Sequence, residues 1–293
     1  MAEFLGYPFD AEIFNHNWTN EPDPTKTALL ESGAVVEDED IRQMISTGSD
    51  VYTIPFYNTL EGTPNNYDGE TDIEATEPTG SAQSGIVFGR AKGFTARDFI
   101  KDYNSGADPM RQITSQVARY WNKYRQSVMI KVLSAIFGVN DPEWANHTLR
   151  LAAANADVTE DNLIGATSVS DVAIQAVGDN ASIFSLAIMH SNVAKRLYNM
   201  DLLEYRKYTD PQGIQRQLRI ADINGMLALV DDGVPVVDSA TAEGAKEYTT
   251  FVLGMGALRT APAPVKVPAE VSRNAAKNGG EDTLYTRIRE KIH

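Results

Sequence analysis

Between Asp108 and Gly138, apolar side chains return every three or four residues: Met110, Ile113, Val117, Tyr120/Trp121, Tyr124, Val128, Val132 and Ala135/Ile136. That period gathers them on one stripe of an α-helix. Asp108 can cap the first turn, and Pro109 suits the first helical position because its missing N–H has no partner to lose there. Gly138 marks the stop. The spacing predicts a helix of about 30 residues, roughly 45 Å long at 1.5 Å per residue. Arg111, Arg119, Lys123, Arg125 and Lys131 occupy much of the remaining circumference. Such a helix is a girder, and the rest of the chain has to be arranged around it.

The segment before it cannot fold by itself. VYTIPFY at 51–57 alternates as a strand does, and Ile86-Val87-Phe88 is a second strand candidate. Between them stand Gly62, Pro64, Asn65, Asn66, Gly69, Pro78, Gly80 and Gly85, all turn or breaker residues. The pattern predicts a long two-stranded flap, and an isolated hairpin is marginal in water, so the flap needs something to lie on. From Glu61 to Glu77 it carries Glu61, Asp68, Glu70, Asp72, Glu74 and Glu77 and no Lys or Arg. The plain alternative is a solvated acidic loop. Residues 1–36 read as irregular, with Pro22 and Pro24 breaking any helix. The acids at 37–40 favour a helix N-terminus, which predicts a short helix over 37–46 ended by Gly48.

Beyond the girder the pattern is mixed, which makes the fold class α+β. VSDVAIQAV (169–177) reads as a helix, SLAIM (185–189) as a buried strand, and Ser191 opens a helix through Met200. Residues 227–230 and 234–237 are strand-like on either side of Asp231-Asp232-Gly233, and 249–253 forms a further strand. Gly256–Arg259 is predicted as a turn of helix and 261–268 as a stiff connector; 282–292 is compatible with either strand or helix. No internal repeat is visible.

Composition narrows the function. The chain has 293 residues, room for two modest domains or one elaborate one, with 42% hydrophobic and 23% charged residues. The 26 basic residues face 40 acidic ones, a formal charge of -14. So acidic a surface repels phosphate and argues against a sequence-reading nucleic-acid binder. The absence of cysteine excludes disulfides, thiol nucleophiles and thiolate metal sites. No signal peptide or membrane span is evident. His16, His147, His190 and His293 never occur at i, i+4, so a zinc pair is unsupported, and His190 reads as a strand-end residue. Asp231-Asp232-Gly233 reads as an Asp-rich hairpin turn rather than a metal site. Gly254-Met255-Gly256 lacks the third glycine and the following unit of a dinucleotide fingerprint. At Asn65–Glu74, Pro64 stands where a calcium loop needs its first acid. No catalytic, cofactor or metal site is assigned.

Several stretches, taken in order, resemble the major capsid proteins of tailed bacteriophages, of the Hong Kong 97-type fold. They are ARDFIKDYNSGADPMRQITSQVARYWNKYRQSVMIKVLSAIFG, SLAIMHSNVAKRL, ALVDDGVPVV with TTFVLGMGAL, and VPAEVSRNAAKNGGEDTLYTRIREKIH. The resemblance runs from about Gly33 onward. It implies an N-terminal arm at 1–50, an E-loop at 51–98 that lies across a neighbouring subunit, and a peripheral domain at 99–159 with a spine helix at 108–138. An axial domain at 160–260 and a return to the peripheral domain at 261–293 complete the plan. It also implies hexamers and pentamers of this chain closing into an icosahedral shell around double-stranded DNA, without catalysis or cofactor. Such a shell is a virion component assembled in the bacterial host cytoplasm, with a portal.

Two details refine the expectation. Some members of the family weld their shells through an E-loop lysine, but no lysine stands between Lys26 and Lys92. An electrostatic latch is expected instead, with Asp68, Glu70, Asp72, Glu74 and Glu77 facing Arg111, Arg119, Lys123 and Arg125 of a neighbour. The short, heptad-free arm beginning at Met1 predicts a separate scaffolding protein or none. An encapsulin-like nanocompartment shell, enclosing cargo protein, is the related alternative. A two-domain α/β enzyme or solute-binding protein is the alternative of another class, and it leaves residues 1–98 without a purpose.

Overall fold

The computed structural model describes residues 2–4, 7–46, 51–58, 60, 62–72, 75–97, 109–139, 146–152, 157–209 and 215–293. In chain order the N-terminal elements are strands β1 (Ala2–Phe4) and β2 (Tyr7–Phe9), helices α1 (Ala11–Thr19) and α2 (Pro24–Glu31), strand β3 (Val35–Glu37) and helix α3 (Glu39–Ser46). Strands β4 (Val51–Tyr57), β5 (Gly80–Ile86) and β6 (Phe88–Arg97) precede the long helix Pro109–Phe137. After it come helix Ser168–Val177, β7 (Phe184–Met189), helix Ser191–Asn199, β8 (Glu204–Thr209), β9 (Gln215–Ile223) and β10 (Met226–Val230). Last are β11 (Val236–Asp238), β12 (Lys246–Tyr248), β13 (Phe251–Gly254), β14 (Leu258–Pro262), β15 (Ala269–Asn274) and β16 (Glu281–Ile292).

Two sheets carry the architecture. The first is five-stranded in the order β13-β7-β10-β9-β8, with β10 parallel to β7 and the other neighbours antiparallel. Its central strands are apolar on both faces, as strands covered on both sides must be. Leu186, Ile188, Leu227 and Leu229 point to one side, where they meet Met129, Ile130 and Leu133 of the long helix and Ala28 of α2. Ala187, Met189, Ala228 and Val230 point to the other, against Val169 of helix Ser168–Val177 and Val193, Ala194 and Leu197 of helix Ser191–Asn199.

The second sheet is organised by β16, which lies between β6 on one edge and β15 with β14 on the other. β14 in turn pairs in parallel with β3. The N-terminal half of the long helix packs on this sheet: Val117, Ala118 and Trp121 join Leu284, Ile288 and Ala269. Trp121 is 1% exposed, and its indole N–H donates to Thr286 Oγ1 at 3.1 Å. Tyr120 and Tyr124 meet its ring edge-on.

The long helix spans almost the predicted length, but its buried side differs from the predicted stripe. Val117 and Trp121 are buried as expected; further along, burial shifts to Met129, Ile130 and Leu133, while Val132 is half-buried and Ile136 exposed. The helix serves two cores that lie on different sides of it, so a single stripe does not describe its burial.

The reading of residues 1–36 as irregular is corrected: they hold α1 and α2. Asp10 accepts amide N–H groups of Glu12 and Ile13, and Asp23 those of Thr25 and Lys26. Pro24 opens α2 at its first position rather than breaking a helix. Phe14 and Trp18 of α1 are buried against the long helix and β15. The predicted helical turn at Gly256–Arg259 is also overturned. Gly256 takes φ +70° in a turn, and β14 begins at Leu258, which is buried and paired with Val35. The connector begins only after Pro262, and 282–292 resolves as strand. Replacing Trp121 with Ala should cost about 3–5 kcal/mol of stability, the range for large aromatic deletions in cores, measurable by urea denaturation.

Candidate functional site

The flap carries the most exposed aromatic side chains among the described residues. β4 and β5 pair antiparallel from Val51↔Ile86 to Tyr57↔Gly80. Past that ladder every described residue from 58 to 79 is exposed, with Tyr57 82%, Leu60 72% and Tyr67 99% exposed. Large apolar side chains so fully in water mark a surface that gains by being covered. β6 follows in the sheet beside β16, so the projecting hairpin ends at Ile86.

The tip has its own short-range order. Asp68 accepts the amide N–H of Glu70 at 3.0 Å and of Thr71 at 2.7 Å, and the Thr71 hydroxyl donates to its other oxygen at 2.7 Å. These bonds, led by the Thr71 hydroxyl, hold the Asp68 carboxyl well below the usual carboxylate range, at about 2. Asn65 donates to the carbonyl of Asp72 at 2.7 Å and closes the loop. Glu70, Asp72 and Glu77 are exposed. Glu61 and Glu74 lie outside the described residues.

On the long helix, Arg119 and Lys123 are exposed one turn apart. Arg125 is committed within its own chain: it bonds Glu290 of β16 at 2.5 Å and Asn122 at 3.3 Å. The side chain of Arg111 lies outside those described. Among the described residues no ion pair joins a flap acid to these cations. Among the described residues of one chain, then, the two groups of charges are not brought together.

The flap's root is buried. Tyr52, Val87 and half-buried Ile54 pack with Ile41 and Ile45 of α3 and with Ala261 and Ala263. Lys291 and His293, at the far end of β16, touch Tyr52. No spacing in the sequence points to this contact, because 241 positions separate Tyr52 from His293.

The polar motifs singled out in the sequence have structural roles. His190 caps helix Ser191–Asn199, accepting from the amide of Asn192 at 3.1 Å, with its other ring nitrogen 3.6 Å from Asp232. Asp231 accepts from the amide of Gly233 at 2.6 Å and from the side chain of Gln126, so it ties its turn to the long helix. Among the described residues no group of three or more His, Asp or Glu could hold a metal ion.

No family model matches the chain. It is 25% identical over 269 residues to the major capsid protein of Bacillus phage SPP1, covering 91% of this chain and 78% of that protein. Among solved structures it resembles the capsid of Ralstonia phage GP4, with a TM-score of 0.55 and 13% identity over 83% of this chain and 78% of that one. It also resembles the Cyanophage Pam1 capsid asymmetric unit, with a TM-score of 0.51 and 12% identity over 83% and 80%. The architecture is therefore the phage-capsid fold.

The bonding of Asp68 has a measurable consequence. A carboxyl whose folded value is lowered from 3.8 to about 2 keeps its turn together above 3.8 and loses it as the pH falls through about 2. Carboxyl NMR titration should therefore find Asp68 still largely ionised at pH 3, and Thr71→Val should move its midpoint up.

Proposed function

We infer that this chain belongs to the tailed-phage major capsid proteins of the Hong Kong 97-type fold. Its copies assemble as hexamers and pentamers into an icosahedral shell, and it is thereby a component of the virion. The observation that carries this is the alignment with a phage coat protein across nine-tenths of the chain, joined to a fold shared with phage capsids. The physical design agrees. A hairpin with exposed Tyr57, Leu60 and Tyr67 gains burial only on another subunit, and many modest contacts on a closed lattice multiply into a durable shell. Such a subunit holds position rather than turning over a substrate. The relatives described above do not favour the enzyme and encapsulin readings.

The finer assignments follow the same reading. Residues 1–50 serve as the N-terminal arm, here folded on its own long helix. The span 51–98 serves as the E-loop with its return strand. Residues 99–159 and 261–293 make the peripheral domain, and 160–260 the axial domain. The burial of Trp121 in one core and Ile130 in another supports a spine helix shared between two regions. The net charge of -14 suits a wall against which packaged double-stranded DNA must slide without sticking. The short, heptad-free arm supports a separate scaffolding protein or none, and the family resemblance supports a portal and assembly in the host cytoplasm.

At the subunit contact, Asp68, Glu70, Asp72, Glu74 and Glu77 form an acidic latch to a neighbour's Arg111, Arg119 and Lys123. Arg125, bonded to Glu290 through Nε and to Asn122 through Nη1, can join it through its remaining donors. Exposed ion pairs contribute little singly, so the latch acts as a network and weakens with salt.

Expression of the chain alone or with a scaffolding partner, followed by size-exclusion chromatography and negative-stain electron microscopy, tests the reading. Closed shells, tubes or six-fold capsomers are expected; a monomer unchanged by partner or crowding would refute it. The triple variant Asp68→Lys, Glu70→Lys, Asp72→Lys should keep the circular dichroism of the parent yet assemble at least tenfold less. Shells formed at the parental yield would remove the latch.

A further inference from the structure

Lys291 is a buried cation that the assembly surface does not use. It is 1% exposed, and its ammonium has no hydrogen-bond partner among the described residues. The nitrogen lies 3.1 Å from the centre of the Tyr52 ring. Tyr52 stands at the base of the flap and is 5% exposed. Its hydroxyl is 3.2 Å from Nδ1 of His293, and Nε2 of His293 is 2.7 Å from Oε1 of Gln83 on the opposite flap strand. Oε1 can only accept, so Nε2 carries a proton, and in the neutral imidazole Nδ1 then accepts from the Tyr52 hydroxyl. In that form the ring grips both flap strands at once. Gly85 pairs with Tyr52 across the hairpin. A Cβ there would collide with the Tyr52 phenol and the Lys291 nitrogen, so only glycine leaves room for the arrangement.

We propose that Tyr52, Gln83, Lys291 and His293 form a proton-sensitive clasp that holds the root of the flap on the end of β16 and loosens stepwise on acidification. An ammonium removed from water without a hydrogen bond is costly, and the face of one tyrosine offsets only part of that cost. The charged and titratable groups around it are Asp38 before α3, Arg259 of β14, Tyr52 of β4 and His293 itself. Asp38 attracts the two protons, while Arg259 opposes that of His293. Burial pushes Lys291 down from 10.5 to about 8, against Asp38. Burial, then Lys291 and Arg259, lower His293 from 6.5. Both groups bind protons more weakly in the closed clasp than in water, so protonation favours opening. The Lys291 contribution is complete above 10.5 and lost as the pH falls through about 8. That of His293 is present above 6.5 and lost as the pH falls below it. A doubly protonated His293 would also lose the acceptor that Tyr52 uses and add a further cation beside Lys291.

The clasp lies within one chain and can be tested whether or not shells form. Hydrogen–deuterium exchange of the full chain from pH 10.5 to 5, corrected for the intrinsic pH dependence of exchange, would follow peptides containing residues 52–54 and 83–85. Their protection should fall about tenfold or more in two steps, a pKa displacement of one unit being a tenfold change. Lys291→Met should remove the upper step and His293→Gln the lower one, while Gly85→Ala should lower protection at every pH. Flat protection in the parent, or both steps surviving in both variants, would overturn the proposal. If Lys291→Met unfolds, His293→Gln decides alone: a lower step that persists in it refutes the clasp.

Discussion

One helix has to satisfy two cores. Val117, Ala118 and Trp121 of the long helix are buried against the sheet built on β16, and Met129, Ile130 and Leu133 against the sheet built on β7 and β10. Helix hydrogen bonds make the segment stiff, so fixing its two ends in different cores also fixes the distance and twist between the sheets. Polar ties reinforce this. Arg125 reaches Glu290 of β16, Asn122 reaches Asp23 at the start of α2, and Gln126 reaches Asp231 beyond β10. Every other element takes its position from this helix or from a sheet it fixes.

What could be read in the chain follows from how local the cause was. The long helix was legible because its period, Pro109 and Gly138 all act within a few residues. Its buried face in the second half was not, because the core it meets is assembled from strands about 50 to 120 positions away. The flap was legible from its turn residues, whereas β8 and β9 were not. EYRKYT and QRQLRIADI carry charges that break the apolar alternation and drew no assignment, yet Arg206 lies on a strand and pairs with Asp222 across the ladder at 2.7 Å. α1 and α2 were hidden by prolines taken as breakers, although an Asp before a proline is also how a helix begins. The acidic tip was visible as composition, but its Asp68 turn and the Tyr52–Lys291–His293 contact are products of folding.

The flap joins two opposite demands. In the assembly proposed above, its outer part stays uncovered until a second subunit arrives, and solvent-exposed acids keep such a surface from associating at random. Its root has to be held firmly, or the direction of the projecting hairpin would wander. Packing of Tyr52 and Val87 against α3 and Ala261 supplies the second requirement. It does so with residues drawn from both ends of the chain.

β16 follows every other described strand in the chain and is the central one in its sheet. β6, β14 and β15 all hydrogen-bond to it, and with β6 its partners are separated by roughly 180 to 200 residues. Contacts at such separation form late, so during synthesis the second sheet, the seat of α1 and the root of the flap stay unmade until residues 281–292 have left the ribosome. A nascent or truncated chain therefore cannot present a finished flap. A break anywhere in this one strand would release β6, β14 and β15 together.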